Sequence, residues 1–166
     1  MGDAMDRARA ARNVIERLGK KVPGFAGYLD RELSREIDQL VRAHLANSLD
    51  AARATVAAHT RTLHLGATGR LERLGSLEKE LGALADAVRH AGSGYAGLFD
   101  AVKVRQEQLE AVYHVEITIV EDVEAVAEAA DRLPGDEGAL DRLSEALQKL
   151  RVRFEGRDQA LKGVLV

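Results

Sequence analysis

Apolar residues recur at alternating steps of three and four through most of the chain. That spacing keeps one stripe of an α-helix facing its neighbours, whereas a strand would alternate in steps of two. One series runs Leu74, Leu77, Leu81, Leu84, Val88, Ala91, and another runs Leu140, Leu143, Leu147, Leu150, Phe154. A third runs Leu109, Val112, Glu116, Ile119, Val123, Val126, Ala130, Leu133, with one carboxylate inside it. A looser series from Leu33 through Ile37, Val41, Leu45, Leu49, Ala52, Val56 and His59 to Leu63 predicts a helix near 30–63. At 1.5 Å per residue that helix of about 33 residues is about 50 Å long. A short first helix over 1–20 shows Ala4, Ala8, Ala11, Ile15 and Leu18.

The series are broken where glycine and proline gather: "LGKKVPGFAG" at 18–27, "LHLGATG" at 63–69, "AGSGYAG" at 91–97 and "LPGDEG" at 133–138. About five helices result. Their connections are short, so consecutive helices are expected to run antiparallel. The pattern therefore predicts an all-α fold, an up-and-down antiparallel bundle with long coiled-coil-like hairpins, as a single domain over 1–166.

Two of the breaks resemble each other. Gly24-Phe25-Ala26-Gly27-Tyr28-Leu29-Asp30 and Gly94-Tyr95-Ala96-Gly97-Leu98-Phe99-Asp100 share the order glycine, aromatic, alanine, glycine, two apolar residues, aspartate. A long helix, a glycine-containing turn and a second helix are expected after each. The chain thus reads as a possible duplication, with units 24–93 and 94–163. Phe25, Tyr28, Tyr95 and Phe99 either anchor these corners on the bundle or form a shared interaction patch at its end.

Composition narrows the choice. Hydrophobic residues make up 46% and charged residues 31% of the 166, too apolar for a disordered chain. Cysteine is absent, which excludes disulfides, thiolate catalysis and cysteine-ligated metals and points to a cytoplasmic setting. The first twenty residues carry charges almost from the start and lack the apolar stretch of a secretory signal, and no run reaches the length of a membrane span. The net charge is −3 and zoned. Residues 1–23 hold six bases and three acids, whereas 105–140 hold two bases and ten acids. No stripe is basic enough for a nucleic-acid interface.

The spelling Gly92-x-Gly94-x-x-Gly97 matches a phosphate-cradling loop, but that loop needs a strand before it, and "LGALADAVRHA" reads as helix. No serine stands in a nucleophile-elbow context, so no catalytic residue is assigned. Glu116 inside an apolar seam needs a partner or a proton. His59 also falls in a seam, at roughly the same level if the hairpins fold back on each other. A buried Glu116–His59 pair is one expectation, and a metal or small-ligand site around Glu116 and the histidines is an alternative. No histidine lies three residues after a carboxylate, the spacing of carboxylate-bridged metal bundles, so no metal ligand and no cofactor is assigned.

Glu121, Glu124, Glu128 and Asp131 line one helical face. The returning helix with Arg142, Lys149 and Arg153 is expected to pair with that ridge, and a basic partner protein is the sharper use of it. Both termini are basic and partly amphipathic, which raises a peripheral membrane contact as a further alternative. The pattern favours a non-enzymatic scaffold or protein-interaction module, acting as a homo-oligomer.

Overall fold

A computed structural model describes residues 2–25, 35–92 and 106–165. Tyr28, Tyr95 and Phe99, and with them Gly94 and Gly97, lie outside the described residues. The described chain is helical without strands: α1 Gly2–Lys21, α2 Arg35–Thr60, α3 Thr68–His90, α4 Gln106–Asp131, α5 Ala139–Glu155 and α6 Arg157–Leu165. The expected fifth helix is divided at Gly156. Gly156 keeps helical dihedrals and the bonds Gly156 N–H to Val152 O and Ala160 N–H to Gly156 O, so α6 continues the rung pattern of α5 after a one-residue interruption.

The seams pack as their spacing requires. In α3, Leu74, Leu77, Leu81, Leu84 and Val88 are buried, and in α5 Leu140, Leu143, Leu147 and Leu150 are buried. Each such side chain removed from water contributes about 1.5–3 kcal/mol, which explains why amphipathic stripes outweigh the modest intrinsic stability of single helices. In α1 Leu18 is buried as expected, but Val14 is buried in place of Ile15, which is only partly covered, and Val22 is buried just after the helix.

Local chemistry sets the ends. At the end of α2, Thr62 Oγ1 donates to the His59 carbonyl, which also accepts the Thr62 amide, and Thr60 Oγ1 donates to the Val56 carbonyl. Pro134 follows α4, where it cannot extend a helix. Before α5, Asp136 accepts the Gly138 amide at 2.9 Å and also pairs with Arg142. After α1 the chain turns at Gly24, whose φ of +86° suits glycine, and Phe25 enters the core immediately.

α2 packs on α3, α4 on α5, α2 on α4, and α3 more lightly on α5, while α1 and α6 both lie against α4. α2 and α3 reverse direction across a short turn, and so do α4 and α5. The two hairpins, however, meet through helices of like direction. Asp38 near the start of α2 and Glu116 near the start of α4 bond to one guanidinium, and Arg73 in the first turns of α3 pairs with Asp141 at the start of α5. Ala139 at the start of α5 follows Thr68 at the start of α3 by 71 positions.

Phe25 stands edge-on to Tyr113 with ring centroids 5.9 Å apart at 79°. Its burial shows that Phe25 anchors the exit from α1. Phe25→Ala should destabilise the protein by about 3–5 kcal/mol in a denaturant titration. Leu65→Ala, at a side chain 90% exposed, should move stability by less than about 0.5 kcal/mol. Equal effects would show that the corner does not anchor the fold.

Candidate functional site: a buried charge cluster

Four charged side chains meet at the end of the bundle where α2 and α4 begin and α3 and α5 finish. Asp38 and Arg42 lie one turn apart on α2, Glu116 on α4 and Arg157 at the first position of α6. All four are buried, with Asp38 at 0% and Glu116 and Arg157 at 1% exposure. Arg157 Nη2 donates to Glu116 Oε1 at 2.5 Å and to Asp38 Oδ1 at 2.7 Å, while its Nε reaches Glu116 Oε2 at 3.4 Å. Arg42 Nε donates to the second oxygen of Asp38 at 2.9 Å. Arg42 Nη1 then reaches the carbonyls of Ala91 at 2.7 Å and Arg89 at 3.2 Å, closing the C-terminal end of α3.

Two carboxylates and two guanidiniums make the cluster neutral. Isolated burial of any one of them would be costly, and only this mutual satisfaction makes the arrangement tolerable. The electrostatics bear the marks of that balance. Burial pushes the Glu116 carboxyl above its ordinary value; Arg157 pulls it back by charge and hydrogen bond, Asp38 pushes it up again, and the net direction stays upward. Burial alone would lower Arg157, but the charge and hydrogen bonds of Glu116 and Asp38 reverse this and hold its guanidinium firmly protonated.

The cluster replaces the expected Glu116–His59 pair. His59 is buried near the end of α2, it has no ion pair to Glu116, and its Nε2 has no hydrogen-bond partner among the described residues. Because α2 and α4 run the same way, the end of α2 lies level with the end of α4 and not with Glu116 near its start. Burial lowers the His59 imidazole first, and the nearby Arg70 lowers it further. Both oxygens of Glu116 and both of Asp38 are already engaged by guanidinium groups, which leaves no vacant donor set for a cation there. Among the described residues no group of three or more histidines and carboxylates is placed to hold a metal.

The acidic ridge finds different partners from those expected. Glu121 pairs with Arg17 and Glu124 with Lys21, both on α1, and Glu128 pairs with Arg132 on its own helix. Asp131 is exposed at the end of α4. Lys149 and Arg153 of α5 instead converge on Asp122, at 2.9 and 2.6 Å, and Arg142 turns to Asp136. Glu121 and Glu124 point to the flank of α4 that α1 covers, while Asp122 and Glu128 border the groove toward α5. The basic terminal helices also use apolar residues inside the molecule, with Leu18 and Val22 buried at one end of the chain and Leu161 at the other. Among the described residues no helix is long and apolar enough to cross a membrane. A helix, not a strand, precedes Gly92.

Asp38, Arg42 and Arg157 are the site residues that the sequence pattern did not single out. For Arg157 a signal was present: it falls three positions after Phe154 and four before Leu161, the next step of the α5 seam. Asp38 and Arg42 carry only the spacing of an ordinary helical ion pair. Comparison with known proteins returns no family model, no curated protein and no solved structure that matches the chain.

Two outcomes test the site. Arg157→Leu leaves two buried carboxylates facing one guanidinium and should cost about 3–5 kcal/mol, against at most about 1 kcal/mol for Arg73→Ala at an exposed pair. Because the folded-state pKa of Glu116 is raised, its protonated form favours the fold, and that contribution fades as pH climbs from the ordinary carboxylate value of 4.5. The Arg157→Leu deficit should therefore be larger at neutral than at acid pH; a pH-independent deficit would contradict the assigned cluster. For His59 the folded value is lowered, so its contribution is present above 6.5 and lost as pH falls. A nuclear magnetic resonance titration should place its midpoint below 6.5, and His59→Leu should blunt the loss of stability in acid.

Proposed function

We propose that the chain is a non-enzymatic helical scaffold or protein-interaction module that works as a homo-oligomer in the cytoplasm. The observation that carries this reading is the saturation of the buried cluster. Glu116, the strongest candidate for internal chemistry, is sealed from solvent with both oxygens engaged by Arg157. What remains to interact with the surroundings is a rigid set of long helices with mixed surface charge. Two helices of 26 residues, each about 39 Å long, give a stiff frame. Stiff elements of this kind hold a binding face in place at little ordering cost.

Multi-angle light scattering of the purified full chain should show a species larger than one 18.0 kDa chain at micromolar concentration. A monomer at every concentration would overturn the homo-oligomer. Metal analysis of the same sample, with Glu116→Gln alongside, should give no bound metal in either protein. Stoichiometric metal lost in the variant would overturn the scaffold reading in favour of a metal-binding bundle.

A further inference from the structure

The geometry points to the outer flank of the α4–α5 hairpin as the surface through which a second copy of this chain binds. The inference rests on the homo-oligomer reading and names its interface. Along this flank runs a groove of about 340 Å³, floored by Ala125 and Ala129 of α4 and Ala146 of α5. Small side chains there allow another helix to approach closely. The groove continues onto the outward face of α5, beside Val152. Val152 is 58% exposed, and only it and Leu65 are large apolar residues so open to solvent among the described residues.

Charge selects the occupant. The groove is lined by three acids, Asp122, Glu128 and Glu145, and three bases, Arg132, Arg142 and Lys149, with Asp122 buried beneath Lys149. A partner of one sign would meet as many like as unlike charges. A twofold-related copy presents the same balanced set in reverse order, which is the self-complementarity that an isologous dimer needs. The bases are also held in place beforehand: Lys149 by Asp122, Arg142 by Asp136 and Arg132 by Glu128. Glu145 is the rim charge with no ion pair among the described residues. With α5 crossing its copy antiparallel near Gln148 and Lys149, Glu145 comes within reach of the second copy's Arg153, and Val152 comes over the second copy's Ala146.

The other flanks are already occupied or differ in character. α1 covers α4 at Glu121 and Glu124. The groove between α3 and α5 has a predominantly acidic rim of Glu80, Glu155 and Asp158, with Arg151 as its one base, so two copies of it would repel.

Three variants of the full chain test the surface, each checked for unchanged helicity by circular dichroism. Val152→Asp should raise the dissociation constant of the dimer at least about tenfold in sedimentation equilibrium, whereas Leu65→Asp at the far end should leave it unchanged. Because the chain has no cysteine, Gln148→Cys supplies a lone thiol close to the expected axis. It should form a disulfide-linked dimer on mild oxidation, and Leu65→Cys should not. A dimeric wild type that Val152→Asp leaves intact, or that Gln148→Cys fails to link, overturns this surface while sparing the homo-oligomer. A wild type that is monomeric throughout overturns both.

Discussion

The structure depends on Arg157 standing between two carboxylates that belong to different helices. Asp38 and Glu116 each start a hairpin's first helix toward the same end of the bundle, and without a cation between them they would repel across a dry interface. Arg157 resolves that conflict, and Arg42 relays it to the end of α3 through Asp38. One neutral group of four charges therefore sets the mutual height of α2, α3, α4 and α6. Leucine seams attract helices but tolerate sliding by a turn; this cluster tolerates none, because a slip of one turn leaves buried charges unmatched.

That constraint also accounts for the sense in which the hairpins adjoin. Like-directed α2 and α4 bring Asp38 and Glu116 level, so the two carboxylates can share a partner. The same geometry carries His59 away to the opposite end, beside the turn that leads to Arg70. The expectation of a Glu116–His59 pair was sound in chemistry and failed on direction. Seam spacing tells which residues face inward on a helix, but it carries no information on whether two neighbouring helices run the same way.

Much of the architecture was legible for the reason that amphipathic spacing is a local property. The stripes in α3, α4 and α5 are buried nearly residue for residue, and the breaks at glycine and proline fall where the helices end. Glu116 stood out because a carboxylate interrupts an apolar series. Arg157 did not, since the α5 series was followed only as far as Phe154, although the three-four count runs straight through to Leu161. Asp38 and Arg42 were illegible because α2 touches two neighbours and buries a wider face than a single stripe reveals. The charge zoning was visible, but its resolution was not: the acidic segment is neutralised from α1 on one flank and from α5 on the other.

The separation of the clasp along the chain gives the fold a temporal order. Each helical hairpin is built from contacts close in sequence and can form early, whereas the bond between Arg157 and Asp38 spans 119 positions and that between Arg157 and Glu116 spans 41. Closing such long loops is slow relative to zipping a hairpin. Until the last helix docks, two carboxylates share a single guanidinium in a half-formed interior that favours water over packing. α6 thus acts as a keystone that joins two adjoining hairpins into one cooperative body.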